Sequence, residues 1–196
     1  MQKSANLVGL VLAGGKSARM GTDKAALVYA GDPQIVRAHR ALAEVCTDVL
    51  VSVRADQADN DLYKCFELVV DRGAARGPAA GLLAAWRHAR GAALLVLAVD
   101  LPLVDTAVLR RLIAARDPGA HATAFVHSDG TVEPLCTIWE PAAHAIVRAR
   151  AQKSRLSLRT VLEETAIRRV PLEDSACLQS VNTPEDYARL RSRPDL

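Results

Sequence analysis

VGLVLAGGKSARMGTDK, residues 8–24, decides the fold. The apolar run from Leu7 to Ala13 stops at Gly14-Gly15. A loop of small and basic residues follows, with Lys16, Ser17, Arg19, Gly21 and Lys24. An apolar run that ends at paired glycines reads as a buried strand leaving its sheet into a tight loop. Glycine lets the backbone turn sharply and bring its N–H groups close to an anion. Arg19 and Lys24 add positive charge over the same space, one as a planar fork and one as a point charge. The pattern points to a polyphosphate site, against the plainer alternative of a strand–turn with solvated basic residues.

Outward from the loop, the chain alternates. Gly31-Asp32-Pro33 is a turn and helix-start signal, and residues 33–46 place Ile35, His39, Leu42 and Val45-Cys46 on one helical face. Val49–Val53 reads as a buried strand, and Leu68-Val69-Val70 ends another at Asp71. Between them, 54–64 is polar, irregular or briefly helical. A Gly/Arg-rich connection, 72–78, leads into an Ala-rich helix at 79–90. Ala92–Val99 is the most strand-like run, ending at Asp100-Leu101-Pro102, with a helix near 105–116 after it. This order predicts a Rossmann-like three-layer α/β sandwich on a mostly parallel, right-handed twisted sheet, with ligands at the carboxyl ends of its strands.

Beyond Pro118 the character changes. Ala122–Val126 and Leu135–Trp139 flank the turn Ser128-Asp129-Gly130, a hairpin signal. Helices are expected at 141–152 and 157–165 and a short strand at Ile167–Pro171. Thr183 as N-cap with Pro184 at the first helical position starts a final helix. These 78 or so residues read as a small β-containing extension that completes a second wall over the sheet edge. The expectation is one domain over 1–196, with about 1–118 binding nucleotide and about 119–196 a second substrate.

Composition narrows the possibilities. Half of the 196 residues are hydrophobic and 4% aromatic, so the core is built from Ala, Val and Leu. A net charge of +3 suits an anionic small molecule, and no Lys/Arg cluster interleaved with aromatics speaks for nucleic acid. Cys46, Cys65, Cys136 and Cys177 show no metal-ligand spacing and read as reduced, mostly buried thiols of a cytoplasmic protein. The apolar stretch after Lys3 is too short for a signal peptide, and no segment approaches a membrane span.

Two common phosphate loops fail. Gly15-Lys16-Ser17 invites a P-loop, yet that pattern needs glycine at position 10, where Leu10 stands, and GxGxxG is absent. His39 and His88 fall in helices as packing or surface residues, and His121, His127 and His144 have no motif around them. Nothing resembles a Ser/His/Asp arrangement. Asp100, directly after a very apolar strand, is either a turn or cap residue or a Mg²⁺ ligand beside the phosphate loop.

LAGGKSARMGTDKA, residues 12–25, resembles the signature of the nucleotidyltransferases that make nucleotide-linked molybdenum cofactor, and in its Gly-Gly form the guanylyltransferase (MobA) branch. The resemblance continues in order at GPAAGL (77–82), VDLPLV (99–104), EPLCTIW (133–139) and VNTPEDYARL (181–190). It implies that Leu12, Ala13, Gly14, Lys24 and Asp71 contact the nucleotide, and that Asp100 binds both nucleotide and Mg²⁺. A family position commonly held by asparagine is Ser52 here, which keeps a hydroxyl but loses the two-sided amide.

The implied reaction is transfer of GMP from GTP to the terminal phosphate of molybdopterin, with molybdoenzymes or other cofactor-assembly proteins as further partners. Gly14 and Gly15 amides, Arg19 and Lys24 are expected to hold the departing pyrophosphate. Arg155 and Arg159 are candidates for the second anionic substrate, or exposed helix arginines. Asn182 lines the cofactor side, lies near the metal, or only organises the last helix. The rivals are a transferase using CTP or a sugar phosphate, a P-loop kinase, and a non-catalytic nucleotide-binding or cofactor-delivery protein.

Overall fold

The computed structural model of the chain describes residues 6–15, 17, 19–71, 77–152, 157–172 and 174–193. In chain order the elements are β1 (Leu7–Leu12), β2 (Val28–Tyr29), β3 (Asp32–Pro33), α1 (Gln34–Ala43), β4 (Val49–Arg54), β5 (Glu67–Asp71) and α2 (Pro78–His88). They continue with β6 (Ala93–Ala98), α3 (Thr106–Ala114), β7 (Ala122–Val126), β8 (Val132–Trp139), α4 (Ala143–Ala151), α5 (Leu158–Glu163), β9 (Ile167–Pro171) and α6 (Pro184–Arg191). Short 3₁₀ turns at Lys24–Ala26, Ala55–Gln57, Asp61–Tyr63 and Ser175–Leu178 fill connections.

Among the described residues, seven strands form one sheet in the order β5-β4-β1-β6-β8-β7-β9. β5, β4, β1 and β6 run parallel, so their carboxyl ends share one edge of the sheet. β8 lies antiparallel between β6 and β7, and β9 pairs parallel with β7. The later half thus lengthens the same sheet, where the sequence had suggested a wall over its edge. Short apolar runs announce strands, but which edge they join depends on pairing across the chain.

Alternation along β1 divides the core. Leu7 and Val11 pack with Ile35 and Leu42 of α1 and Leu109 and Leu112 of α3. Val8, Leu10 and Leu12 pack on the other face with Leu82 and Trp86 of α2, Val147 of α4 and Val161 of α5. Each fully buried Leu or Val contributes about 1.5–3 kcal/mol relative to exposure, enough to hold the register. α2 is buried all round from Ala79 to Trp86, consistent with its Ala-rich sequence.

Two features were not visible in the sequence pattern. β2 and β3 form a two-stranded ribbon through Ala30-Gly31, too short to show alternation. A satellite cluster of Met20, Leu27, Tyr29, Val181 and Leu190, with Leu103 and Tyr187 against it, docks α6 onto the loop after β1. The Thr183 cap and Pro184 start α6 as expected, and Asp186 completes a capping box with Thr183. All four cysteines are free: Cys46 and Cys136 are buried, Cys177 is half-buried and Cys65 is exposed. Among the described residues no helix is long and apolar enough to cross a membrane.

Candidate active site

A cleft of about 400 Å³ opens at the shared carboxyl ends of β1, β4, β5 and β6. Its lining includes Leu12, Ala13, Gly14, Gly15, Arg19, Lys24, Ser52, Asp71, Asp100 and Asn182. The candidate residues from the sequence therefore line one cavity except Arg155, which lies outside the described residues, and Arg159. Arg159 is exposed on α5 and does not line the cleft.

The loop leaves β1 while still tied to its neighbours. Ala13 N donates to Ser52 O at 2.9 Å, and Val99 N donates to Leu12 O at 3.2 Å. Ser17 then takes a left-handed φ of 46° and its Oγ accepts from Lys24 N at 3.3 Å, closing the loop on itself.

Three residues far apart in sequence meet at one end. Lys24 Nζ donates to Asn182 Oδ1 at 2.7 Å and lies 3.5 Å from Asp100 Oδ2. Arg19 reaches the same Asn182 oxygen at 3.4 Å. Asn182 is held in place: its Nδ2 donates to Ser180 Oγ at 2.8 Å, and its backbone N donates to Asp186 Oδ2 at 3.0 Å. Val181 N donates to Asp100 O at 2.8 Å, so the segment before α6 is pinned to the end of β6. The Asn182 side chain meets Lys24, which in turn borders Asp100, while Thr183 and Asp186 form the capping box of α6.

Asp100 has the chemistry of a hard-cation ligand. Its Oδ1 is buried and accepts no hydrogen bond among the described residues. Such an unmet acceptor costs about 1–3 kcal/mol unless a donor or cation satisfies it. Burial pushes the Asp100 carboxyl above the ordinary carboxylate range, opposed by the Lys24 ammonium. Mg²⁺ takes one or two carboxylates and completes its shell with phosphate oxygens and water. Among the described residues no group of three or more His, Cys, Asp or Glu is arranged to hold a metal. Asp100 would offer such an ion one carboxylate, leaving the rest of its shell to phosphate oxygens and water.

At the other end, Ser52 is buried under α2. A Cβ at Gly81 would lie 2.5 Å from Ser52 Oγ and 2.7 Å from Leu12 Cδ2, so only glycine lets the helix approach this closely. Gly77 precedes α2 with φ 67°, and Pro78 occupies its first turn. Gly77 and Pro78 line the cleft, which places the positive end of the helix dipole on it. Asp71 ends β5 half-buried and lines the same end.

Sequence reasoning missed the residues behind the loop. Asp23 Oδ2 accepts from Tyr63 Oη at 2.7 Å and from Gln57 Nε2 at 2.8 Å, while its Oδ1 caps the turn that carries Lys24, accepting from Ala25 N at 3.1 Å. Burial, then the bond to Asp23, pushes the Tyr63 phenol up, so it stays a donor. Asp23 stood in the quoted motif beside Lys24, but nothing local pointed to Gln57 or Tyr63. Arg54 and Leu135 also line the cleft.

Residues 9–170 match the family model described as the MobA-like NTP transferase domain. The molybdenum cofactor guanylyltransferase of Pseudomonas putida is 32% identical over 179 residues, covering 90% of this chain and 93% of that protein. The molybdenum cofactor biosynthesis bifunctional protein of Synechocystis is 32% identical over 186 residues, covering 94% of this chain but 53% of that protein, so the chain spans about half its length. Among solved structures, molybdopterin-guanine dinucleotide biosynthesis protein A from Archaeoglobus fulgidus superposes with a TM-score of 0.79 at 23% identity, covering 94% of this chain and 96% of that one. At that identity the likeness concerns the fold. With the loop, the sheet edge and this family match together, the chain belongs to the MobA-like NTP transferase family and is a nucleotidyltransferase.

Proposed function

We propose that this nucleotidyltransferase moves GMP from GTP onto the terminal phosphate of molybdopterin, in the cytoplasm, forming the guanine dinucleotide cofactor and releasing pyrophosphate. The observation that carries the reading is the meeting of Lys24, Asp100 and Asn182 at the mouth of the Gly14-Gly15 loop. The Pseudomonas putida relative, named a molybdenum cofactor guanylyltransferase, supports the choice of substrates.

The chemistry follows from charge. A phosphate monoester has a second pKa of about 6, so its oxygen is already a nucleophile at neutral pH and needs no general base. That oxygen attacks the α-phosphorus of the nucleotide; a new P–O bond forms as the bond to the β-phosphate oxygen breaks, and the electron pair leaves with pyrophosphate. Two polyanions must meet, so the chain's task is alignment and neutralisation.

Lys24 and Arg19 offset charge on the leaving side, and the Gly14 and Gly15 amides donate to the same oxygens. Asp100 would hold Mg²⁺, which supplies Lewis-acid neutralisation of phosphate charge when bound. Asn182 holds the Lys24 ammonium facing the cleft. Leu12, Ala13, Ser52 and Asp71 at the other end receive the nucleoside. A cleft of about 400 Å³ is within the range of ordinary ligand sites.

The test is incubation with molybdopterin and Mg²⁺ plus GTP, CTP or UTP in turn, with detection of pyrophosphate and the dinucleotide. Product from GTP is expected. Product from CTP alone would replace GMP transfer by the cytidylyl alternative, and γ-phosphate transfer would overturn the reaction type.

A further inference from the structure

Three consecutive carbonyls just after β1 are each held by a side chain from the end of β4 or the turn that follows it. Gln57 Nε2 donates to Ala13 O at 3.3 Å. Arg54 Nη1 donates to Gly14 O at 3.1 Å and to Gly15 O at 2.5 Å. The turn is itself braced: Arg54 N donates to Gln57 Oε1 at 3.1 Å, and Arg54 Nε and Nη2 donate to the two Asp56 oxygens at 2.9 Å each. Four of the five guanidinium N–H groups are thereby engaged, and the charge of Arg54 is matched by Asp56. Gln57 is 5% exposed, and a Cβ on Gly14 would lie 3.6 Å from Arg54 Cγ, so the loop backbone rests on the arginine stem.

A trans peptide sets each C=O opposite to the next N–H, and the chain has no cis bond among the described residues. Turning Ala13 O and Gly14 O toward Gln57 and Arg54 therefore turns the Gly14 and Gly15 N–H groups the other way. Neither N–H has an acceptor among the described residues. We infer that Arg54 and Gln57 are positioning residues for nucleotidyl transfer: they draw the loop carbonyls to one side so that the Gly14 and Gly15 amides face the nucleotide phosphates. The inference rests on the reading that this loop receives a nucleotide. It also accounts for a phosphate loop that lacks the Walker glycine spacing. Side chains from the neighbouring strand impose the carbonyl direction that a glycine-rich turn would otherwise have to adopt unaided.

The experiment uses the full chain in three variants, Arg54→Lys, Gln57→Met and, as a control, Arg40→Ala, which removes an exposed guanidinium paired with Asp32 at 2.8 Å. Lysine keeps the charge but has three donors from one point, against the four contacts that Arg54 makes with a planar fork. Backbone ¹⁵N order parameters at Gly14 and Gly15 in the ligand-free protein are expected to fall from about 0.85 to below about 0.6 in Arg54→Lys. Its Kd for Mg²⁺–GTP and KM for GTP are expected to rise about tenfold, with kcat held within about threefold. Gln57→Met should act in the same direction and Arg40→Ala should move neither readout.

Unchanged order parameters in Arg54→Lys overturn the inference, as does a fall in kcat at unchanged KM, which would make Arg54 catalytic. Should Gln57→Met not fold, the half-exposed Arg54 decides the matter alone. If the wild type binds no Mg²⁺–nucleotide, the nucleotide reading fails by itself, and the order parameters still judge the clasp.

Discussion

Lys24 Nζ donates to Asn182 Oδ1 at 2.7 Å, joining residues 158 positions apart. The same ammonium lies 3.5 Å from Asp100 Oδ2, so Asn182 shares it with the carboxylate. Replacing Asn182 by Ala removes that share and lets Lys24 turn wholly onto Asp100. A hydrogen bond to a charged group contributes about 1.5–3 kcal/mol, so kcat/KM for Asn182→Ala should fall roughly 10–100-fold. Pyrophosphate release at graded Mg²⁺ checks it, and half-saturation should shift to higher Mg²⁺. Wild-type kinetics would remove Asn182 from the site.

Lys24→Ala takes away a cation that has only 14% of its side chain exposed and borders the loop. The expected outcome is a higher KM for the nucleotide or slower pyrophosphate departure, about 100-fold in kcat/KM, with the fold intact by circular dichroism. Unchanged nucleotide kinetics would speak against the loop as the phosphate grip.

Asp100→Ala should abolish transfer, by about 10³-fold or more, while the protein stays folded. Its Oδ1 has no partner among the described residues and burial opposes its charge, so the carboxylate contributes little to stability. EDTA should stop the wild type and added Mg²⁺ restore it. Full Mg²⁺-dependent turnover by Asp100→Ala would falsify the metal assignment.

Gly81→Ala tests the approach of α2 to β1 and β4. The added methyl meets Ser52 Oγ at 2.5 Å and Leu12 Cδ2 at 2.7 Å in a packed interior. Overpacking costs about 1–3 kcal/mol, and alanine's better helix propensity returns up to about 1 kcal/mol. The melting temperature should therefore drop by roughly 2–8 °C. A value at or above wild type would show that the helix has room to move.

His39 offers a pH test remote from the cleft. It packs on Phe66 with ring centroids 4.9 Å apart, and burial lowers its pKa from the ordinary 6.5. The unfolded chain then takes up the proton first, so this residue makes stability fall as pH drops below about 6.5, until the lowered folded value is passed. Melting temperature measured from pH 7.5 to 5 should fall less steeply in His39→Gln than in the wild type. Parallel curves would mean that the histidine titrates alike in both states.

Much of the fold was legible because its signals are local. The apolar run ending at Gly14-Gly15 marked β1, Asp100 stood at the end of the most strand-like run, and Thr183-Pro184 announced α6. Period, breakers and caps lie within a few residues of each other, so a single sequence carries them. The family motif added Leu12, Lys24, Ser52 and Asp71, and all four line the cleft.

Other features were not legible. β8 inserts antiparallel between β6 and β7, and nothing in its own residues specifies that neighbour. The Lys24–Asn182 bond exists because Met20, Leu27 and Tyr29 bury apolar surface against Val181 and Leu190, which folds the chain's end back over the loop. Arg54 and Gln57 look like ordinary surface polar residues until β4 pairs beside β1 and brings their donors under the loop carbonyls. The sequence by itself determined the strand, the glycine loop, the charges beside it and the family they belong to. Only the tertiary structure decided which polar partners those groups face, because a hydrogen bond's partner depends on long-range packing that no local pattern encodes.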